Sequence, residues 1–458
     1  MVDQLSLAVN GRENQLRSKL AAFSVTAPDT ARGYGNGNGS APQALRVAIV
    51  GMGYVGLPTA IALAPRSRQV TGIDVSTDRL RAIESGAADV SPADRTRLTA
   101  ALAEGKLTLT SDPAAIAAAD AVIICVPTPV DTNHMPELSA LHGACADVVA
   151  QARAGQTIIL TSTTYVGTTA ELLAEPLRRR GLVPGSDVYV AFSPERIDPG
   201  NPEHLHEETP RVVGGVTAEC ADHAARIVAL LTPEVYVVSS PEAAEATKLY
   251  ENIFRAVSLA LANEFADACG VLSLDPIEVT LAAATKPYGF LATFPGPGVG
   301  GHCIPCDPHY LLWQLGTQGH QSPLIEQAMR SIRQRPERVV DRAREVLGAD
   351  GQELDGARVV VVGASYKPGV RDLRESSAVP MIESLRRKGA DVHYFDPLVP
   401  VLRLPGGGEL TSEVSPGMEW DLVIVHTLHP GVDYSWANMC RVLDATYRFD
   451  AAGVRAVV

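Results

Sequence analysis

The sequence contains no long apolar run, and positive charge is scarce relative to negative charge. No segment reaches the roughly 20 consecutive apolar residues that a membrane-spanning helix needs. Residues 1–19 carry charges throughout and contain no apolar core, which argues against a secretory signal. The 52 acidic residues outnumber the 39 basic ones, and the formal net charge is −13. Because nucleic-acid phosphates are bound by clustered Lys and Arg, we expect neither a membrane nor a nucleic-acid partner.

A disulfide framework is also missing. The seven cysteines are odd in number and lack the regular spacing of a disulfide-stabilised domain, which indicates reduced thiols and a cytoplasmic protein. Cys303 and Cys306 form one CxxC pair, but no second cysteine or histidine pair completes a zinc site, so we predict no metal. With 458 residues, 46% of them hydrophobic, the chain is long enough for two or three globular domains.

From residue 45 onwards, short apolar runs alternate with Ala-rich helical stretches. The preceding segment 32–42, RGYGNGNGSAP, cannot bury enough apolar surface to fold, so we assign 1–43 to a flexible tail and linker. The alternation is typical of βαβ units and of a doubly wound parallel sheet. The predicted strands are 45–50, 70–75, 121–126, 157–160, 188–192, 211–213 and 235–238.

A long helical stretch and a second series of strands follow. Apolar residues at helical spacing between Pro241 and Gly270 predict a central helix, and a Pro- and Gly-rich loop occupies 294–308. The predicted fold class is therefore α/β, with two Rossmann-like doubly wound parallel-sheet domains joined by the long central helix. The second series of strands is predicted at 358–362, 392–395 and 422–425, and the domains at 44–240, 241–340 and 341–458.

The segment Gly51-Met52-Gly53-Tyr54-Val55-Gly56 follows the first predicted strand directly and opens a helix. In such a GxGxxG turn the glycines permit a tight turn, a close approach to a pyrophosphate and close packing of helix on strand. Asp74 ends the second strand, where a carboxylate binds the ribose hydroxyls of NAD and repels the extra phosphate of NADP. A Gly-rich turn without a ligand is the alternative, but the order of strand, motif, helix and acid favours an NAD site.

Cys303 lies in the segment PGPGVGGHCIPCDP, between His302 and Asp307. Glycines at this density let the backbone wrap a ligand and bring N–H groups to it. A thiol in such a loop is placed for nucleophilic chemistry. Two alternatives stay open at this point: a buried structural cysteine, and a disulfide with Cys306.

Other polar residues lie where an α/β protein binds its ligands. Thr128, Thr163 and the pair Glu195-Arg196 follow predicted strands directly, and ligands sit at the carboxyl ends of parallel strands. Lys248 and Asn252 are four residues apart on the central helix and therefore share a face. A solvated helix face is the alternative for this last pair.

Six motifs together resemble the nucleotide-sugar 6-dehydrogenases, the group of UDP-glucose, GDP-mannose and UDP-N-acetylhexosamine dehydrogenases. The motifs are GMGYVGLP, ICVPTP, SPER, KLYENIFRAV, PGPGVGGHCIPCDP and SYKPGVRDLRES, and they occur in the order that the family has. The resemblance covers about residues 45–450 and is nearest to the UDP-N-acetylhexosamine and NDP-glucose dehydrogenases of bacteria. It implies an NAD-binding domain over 44–240, a central helical dimerisation domain over 241–340 and a nucleotide-sugar-binding domain over 341–458.

The resemblance also implies roles for single residues. Cys303 matches the catalytic nucleophile, and Lys248 and Asn252 match the pair that stabilises the reacting oxygen and positions water. Glu195 matches an acid/base of thioester hydrolysis, and Asp307 a carboxylate that supports Lys248 and water. The implied cofactor contacts are Gly51, Gly53, Tyr54, Val55, Gly56, Asp74, Arg79, Thr128, Thr163 and Arg374. Thr128 is also implied as a catalytic residue, near the nicotinamide and the water. The implied substrate contacts are Glu195, Arg196, Lys248, Asn252, Gly300 and Lys367.

The sequence departs from the family pattern at three places. Position 306 is usually not cysteine, and the segment 162–167, STTYVG, lacks a proline that the family often has. Thr446 stands where the family often has an arginine, which leaves one contact to an anionic group in doubt.

The expected activity is the four-electron oxidation of a sugar CH₂OH to a carboxylate with NAD⁺, by a homodimer that binds UDP- or dTDP-linked glucose or N-acetylhexosamine. A two-electron hydroxyacid dehydrogenase shares the glycine motif and a helical second half, but it would not require the loop cysteine. A catalytically silent nucleotide-sugar sensor with the same fold is the remaining alternative.

Overall fold

A nine-stranded sheet forms the centre of the first of two compact units, 1–249 and 250–458, in the computed structural model. The structure describes residues 24–26, 45–88, 90–196, 208–286, 288–301, 303–413, 420–449 and 455–458. Apart from 24–26, the predicted tail and linker lie outside the described residues, as does His302. No helix in the described part of the chain is long and apolar enough to cross a membrane.

The strands of the first sheet are mostly parallel. They are β1 (Ser24–Thr26), β2 (Arg46–Val50), β3 (Gln69–Ile73), β4 (Leu107–Thr110), β5 (Ala121–Ile124), β6 (Thr157–Leu160), β7 (Tyr189–Phe192), β8 (Arg211–Gly215) and β9 (Glu234–Val238). Their order is β1-β9-β8-β7-β6-β5-β2-β3-β4, with antiparallel pairing only at β7–β8 and β1–β9 among the described strands. Because β2 pairs with β3 on one side and with β5 on the other, the strand order reverses at β2. Open α/β sheets bind their ligands beyond the carboxyl ends of the strands at such a point.

Helices cover both faces of this sheet. They are α1 (Gly56–Leu63), α2 (Thr77–Glu84), α3 (Pro92–Ala103), α4 (Ser139–Gln151), α5 (Glu175–Arg179) and α6 (Ala218–Val228), with a π-helical turn at Ala170–Ala174. Val47 and Ile49 of β2 join one apolar core, whereas Ala48 and Val50 join another on the opposite face. Burial on both faces explains why the strand reads as a continuous apolar run.

The second unit contains most of the central helix and a smaller parallel sheet. Its helices are α7 (Pro241–Val271, which begins in the first unit), α8 (Pro276–Ala284), α9 (Cys303–Thr317), α10 (Pro323–Gly348) and α11 (Ala378–Arg387). The strands β10 (Arg358–Val362), β11 (Asp391–Phe395), β14 (Leu422–Val425), β15 (Val442–Asp444) and β16 (Arg455–Val457) pair in the order β11-β10-β14-β15-β16, all parallel. A hairpin of β12 (Val401–Arg403) and β13 (Glu409–Thr411) lies outside this sheet.

The predicted α/β fold class is confirmed, but several elements differ from the sequence prediction. The edge strand β4 was missed because LTLT alternates in polarity instead of forming an apolar run, and β1 lies in the segment assigned to a tail. The predicted loop 294–308 ends early, since α9 begins at Cys303. Prolines suggested a loop, yet Pro305 lies in the first helical turn and loses no hydrogen bond there, and the helix continues through Pro308. The three predicted domain boundaries stay a prediction.

Candidate active site

The three glycines of the turn after β2 differ in what surrounds them. Gly51 has φ +93°, and a Cβ there would lie 2.6 Å from the carbonyl oxygen of Cys125. A Cβ at Gly56 would lie 1.8 Å from the carbonyl oxygen of Gly51, so only glycine lets α1 approach the turn this closely. At Gly53 no described atom lies within 4 Å of the Cβ position, which leaves the backbone open to a ligand. A pyrophosphate fits this arrangement, with the start of α1 supplying N–H groups.

Asp74 lies beside this turn, at the carboxyl end of β3. Its carboxylate accepts hydrogen bonds from the N–H of Met52 at 2.8 Å and from the N–H of Ser76 at 2.9 Å. Arg79 donates from Nε to the carbonyl oxygen of Met52 at 2.8 Å. Tyr54 and Val55 follow in the turn, with Tyr54 exposed and Val55 half-buried. These predicted cofactor residues therefore form one local cluster.

Thr128, Thr163 and Glu195 follow β5, β6 and β7, three neighbouring parallel strands. Thr128 is buried and Thr163 is half-buried. Ser162 donates from Oγ to the carbonyl oxygen of Val126 at 2.8 Å, which joins the turns after β5 and β6. The three residues thus share one edge of the sheet, the edge that also carries the glycine turn.

Glu195 is buried, and an arginine that the sequence analysis missed neutralises it. Arg211 Nη2 lies 2.9 Å from Glu195 Oε2, and both side chains are almost inaccessible to solvent. The other carboxylate oxygen accepts the N–H of Arg196 at 2.8 Å, while the Arg196 guanidinium donates to the carbonyl oxygen of Pro210 at 2.8 Å. A charged residue at the start of the apolar strand RVVGG was the available signal, because a buried cation requires a partner.

The first turns of α7 are held by Glu245, another residue that the sequence analysis missed. Its carboxylate accepts the N–H groups of Gly167 and Thr169 at 2.6 and 2.8 Å, and the Thr169 hydroxyl at 2.6 Å. Burial raises the pKa of Glu245 above its usual range. Lys248 is also buried, three residues further along the helix, and Asn252 follows one turn after it.

In the second unit, Asn252, Asp307 and Cys303 come together. Asn252 donates from Nδ2 to Oδ2 of the buried Asp307, and this bond joins α7 to α9. Cys303 is the first residue of α9 and lies one turn before Asp307, so the two side chains share a face of the helix. Cys303 is half-buried, whereas Cys306 is buried.

The glycines before Cys303 pack against the segment 365–377, which carries the SYKPGVRDLRES motif. A Cβ at Gly300 would lie 2.5 Å from the Cβ of Tyr366, and one at Gly298 would lie 2.3 Å from that of Ser377. The N–H of Gly301 donates to the carbonyl oxygen of Arg374 at 3.0 Å. Two motifs that the sequence analysis treated separately are therefore in contact.

Two predicted ligand residues lie in that segment. Lys367 is half-buried and directly follows Tyr366. Arg374 has a side chain that is 40% exposed, and its guanidinium pairs with Asp372, with Nη2 2.6 Å from Oδ2. The turn after β10 therefore carries two cations close to the glycine loop of Cys303.

Models of one protein family match the chain in three consecutive parts. The NAD binding domain of the UDP-glucose/GDP-mannose dehydrogenase family matches residues 45–232, its central domain matches 242–332, and its UDP binding domain matches 360–456. The chain belongs to this family. It is an NAD-dependent nucleotide-sugar dehydrogenase, so a hydroxyacid dehydrogenase is no longer an alternative.

Individual relatives agree with this assignment. The dehydrogenase is 33% identical to the UDP-N-acetyl-D-mannosamine dehydrogenase of Pyrococcus horikoshii over 84% of this chain and 90% of that one. It is 32% identical to the UDP-N-acetyl-D-glucosamine 6-dehydrogenase of Pseudomonas aeruginosa, over 78% and 83% of the two chains. A solved structure of the UDP-D-ManNAc dehydrogenase from Pyrococcus horikoshii superposes with a TM-score of 0.82 at 30% identity and covers 90% of this chain and 99% of that chain.

Thr446, where the family often has arginine, forms hydrogen bonds within a turn of the dehydrogenase. Its N–H and its hydroxyl both donate to Asp444 Oδ1, at 2.9 and 2.7 Å. Two residues later, the guanidinium of Arg448 lies over the ring of Phe294, 5.8 Å from the ring centroid. A cation is thus present beside the cysteine loop although position 446 does not supply it.

Proposed function

We propose that this dehydrogenase oxidises the C6 hydroxymethyl group of a nucleotide sugar to a carboxylate in two hydride transfers, with Cys303 as the nucleophile. The observation that supports the proposal is the position of Cys303 at the start of α9, one turn before Asp307, which Asn252 anchors to α7. A helix N-terminus favours the thiolate form of a cysteine, which is the nucleophilic form.

The chemistry requires a nucleophile only in its second half. NAD⁺ supplies the hydride acceptor for both oxidations, and we propose that the Gly51–Gly56 turn, Asp74, Arg79, Thr128, Thr163 and Arg374 bind it. The first oxidation converts the CH₂OH group to an aldehyde and releases one proton. The Cys303 thiolate then adds to the aldehyde carbon, and a proton on the new oxygen completes a thiohemiacetal. Loss of a second hydride and of that proton leaves a thioester, which water hydrolyses to the acid and the free thiol.

The surrounding polar residues suit these steps. We propose that Lys248 and Asn252 stabilise the negatively charged oxygen that forms when the thiolate adds to the carbonyl. Glu195 and Asp307 are the carboxylates assigned to proton transfer and to the hydrolytic water, with Thr128 nearby. Arg196, Gly300 and Lys367 are assigned to the nucleotide sugar.

The substrate is proposed to be glucose or an N-acetylhexosamine linked to UDP or dTDP. The names of the two relatives above give UDP-N-acetylhexosamines as their substrates, so these sugars are the first to be tested. We expect two NADH per sugar consumed and a uronic acid as product, measured by absorbance and mass spectrometry. One NADH per sugar with an aldehyde as end product would refute the four-electron reaction, and binding without turnover of any sugar would favour the silent sensor.

A further inference from the structure

One buried arginine joins three separate segments of the second unit. Arg335 of α10 is 3% exposed, and its guanidinium has a partner on each side. Nη1 donates to Asp267 Oδ1 on α7 at 2.7 Å, and Nε donates to the carbonyl oxygen of Gly296 at 3.0 Å. Nη2 donates to the hydroxyl oxygen of Tyr447 at 3.3 Å. The planar guanidinium carries separate donors on Nε, Nη1 and Nη2, whereas the three donors of a lysine ammonium share one nitrogen.

Gly296, one of the three partners, lies at the start of the glycine loop that leads to Cys303. Its N–H donates to Asn263 Oδ1 at 2.9 Å, and Asn263 lies one turn before Asp267 on α7. Two side chains therefore hold the N–H and the carbonyl oxygen of this one residue. Since a glycine-rich loop has many accessible backbone conformations, such anchors restrict the path that the chain takes to the cysteine.

Tyr447, another partner, lies in the turn that follows β15. It adopts a left-handed conformation with φ +60°, which is strained for a residue with a side chain. Its buried hydroxyl donates to the main-chain oxygen of Val458 at 2.6 Å, and Asp444 accepts the N–H of Phe449 at 2.9 Å across the turn. Several bonds thus impose this conformation, and the bond from Arg335 connects it to the cysteine loop.

We propose that Arg335 is a positioning residue that aligns the cysteine loop for the second oxidation, an inference that rests on the function proposed above. The guanidinium holds Gly296 at a fixed distance from α7 and from the Tyr447 turn. The first oxidation does not use the thiol, so it tolerates a displaced loop. The second oxidation needs the sulfur within bonding distance of the aldehyde carbon, so it does not tolerate a displaced loop.

The test compares Arg335→Lys with the matched control Arg338→Lys. Arg338 Nε approaches the other oxygen of Asp267 at 3.5 Å and is largely exposed, and no described contact joins it to Gly296 or Tyr447. The substrate is the nucleotide sugar that the wild type turns over fastest. We expect Arg335→Lys to slow oxidation of its 6-aldehyde roughly 10- to 100-fold. Oxidation of the alcohol to the aldehyde should fall less than about threefold, and the control should change neither step by more than that.

A second measurement needs no substrate. The rate at which iodoacetamide alkylates Cys303, followed by mass spectrometry, reports the reactivity and accessibility of the thiol. The half-buried Cys440 serves as internal reference. We expect Arg335→Lys to change the alkylation rate of Cys303 at least about fivefold and to leave the alkylation rate of Cys440 unchanged. If Arg335→Lys fails to fold, Asn263→Ala releases Gly296 without leaving a buried charge unpaired. We then expect the same result, a large loss of aldehyde oxidation and a small loss of alcohol oxidation.

The outcomes separate the two proposals. Equal losses in both oxidations, or an unchanged alkylation rate of Cys303 in folded Arg335→Lys and Asn263→Ala, would overturn the role of Arg335. Continued aldehyde oxidation by Cys303→Ala would instead overturn the proposed function, whatever the Arg335 variants do.

Discussion

Cys303 and Cys306 are one helical turn apart at the start of α9, but their surroundings differ. Cys303 is the first residue of the helix and half-buried, whereas the Cys306 side chain is buried. A reacting thiol must be reachable by substrate and close to groups that favour the thiolate, and the helix start meets both conditions. Burial of Cys306 suits a packing role.

We expect Cys303→Ser to lose aldehyde oxidation by at least roughly 100-fold, because a hydroxyl ionises far less readily than a thiol. Cys306→Ser should keep most of the activity. Both variants are assayed with and without reductant, beside the wild type. A dead Cys306→Ser with an active Cys303→Ser would contradict the assignment. A wild type that alone needs reductant would indicate a disulfide between the two sulfurs.

Asp74 decides the cofactor preference in our proposal. Two backbone N–H groups orient its carboxylate beside the glycine turn, where we propose that it binds the ribose hydroxyls of NAD. We expect the wild type to prefer NAD⁺ over NADP⁺ at least about tenfold in kcat/KM, which corresponds to ~1.4 kcal/mol. Asp74→Ser should reduce this preference, and Asp78→Ser, which removes an exposed acid from the next helix, should not. Equal use of both cofactors by the wild type would contradict the assignment.

At the scale of elements, the close approach of α1 to the turn after β2 depends on Gly56. The Cβ of an alanine there would lie 1.8 Å from a backbone oxygen, which cannot move away. We expect Gly56→Ala to lower the free energy of unfolding by roughly 3 kcal/mol or more, measured by denaturant titration. Gly53→Ala has open space and should fold normally, but it should raise the Kd for NAD⁺. Similar stabilities of the two variants would contradict this packing argument.

The loop after β14 contains a histidine that should make stability depend on pH. Burial lowers the pKa of His426 from 6.5 to about 4, and its Nε2 lies 2.8 Å from the hydroxyl oxygen of Ser377. Between these two values the unfolded chain binds a proton that the folded chain does not. Stability is therefore lost as the pH falls from about 6.5 towards about 4, by up to about 3 kcal/mol.

His426→Gln should remove this part of the pH dependence, although its stability at neutral pH should also be lower. Denaturant titrations of both proteins at pH values across that window provide the measurement. His320→Gln, a change at an exposed histidine, serves as the control. If His426→Gln and the wild type lose stability in parallel as the pH falls, His426 is not the group responsible.

The predictions from sequence were most accurate where a motif acts locally. A glycine turn and a strand end are each specified by a few consecutive residues, so the positions of Gly51 and Asp74 in the fold were predictable. Cys303 was expected within a loop and is instead the first residue of α9. Arg211 and Glu245 were missed because their partners lie far along the chain. Prolines in PCDP misled the prediction at α9, because Pro305 lies in the first turn, where a helix tolerates proline, and the helix continues through Pro308.

At the scale of the whole molecule, exposed apolar side chains on α7 favour a homodimer. Tyr250, Phe254, Leu261 and Phe265 recur at helical spacing and are 70%, 47%, 64% and 44% exposed. On the same helix, Ile253 is buried and Val257 packs on a core cluster within the chain. Leu261 and Phe265 thus remain for a partner, and an exposed apolar stripe of this kind is typical of an interface.

We expect the wild type to be at least a dimer by light scattering at micromolar concentration. Leu261→Asp should shift it towards the monomer, because a charge would be buried without a partner in the interface. Met439→Asp changes an equally apolar residue that is 87% exposed outside α7, and it should leave the mass unchanged. A monomeric wild type would refute the dimer.

The sequence by itself determined the α/β class, the family and the types of residue at the site, because each depends on short patterns that local backbone geometry requires. Only the tertiary structure decided which of these residues meet. The bond from Asn252 to Asp307 and the contacts of Arg335 with Gly296 and Tyr447 join segments that are far apart along the chain. Such pairs leave no periodic pattern, since their distance is set by how helices and sheets pack and not by their spacing in the sequence.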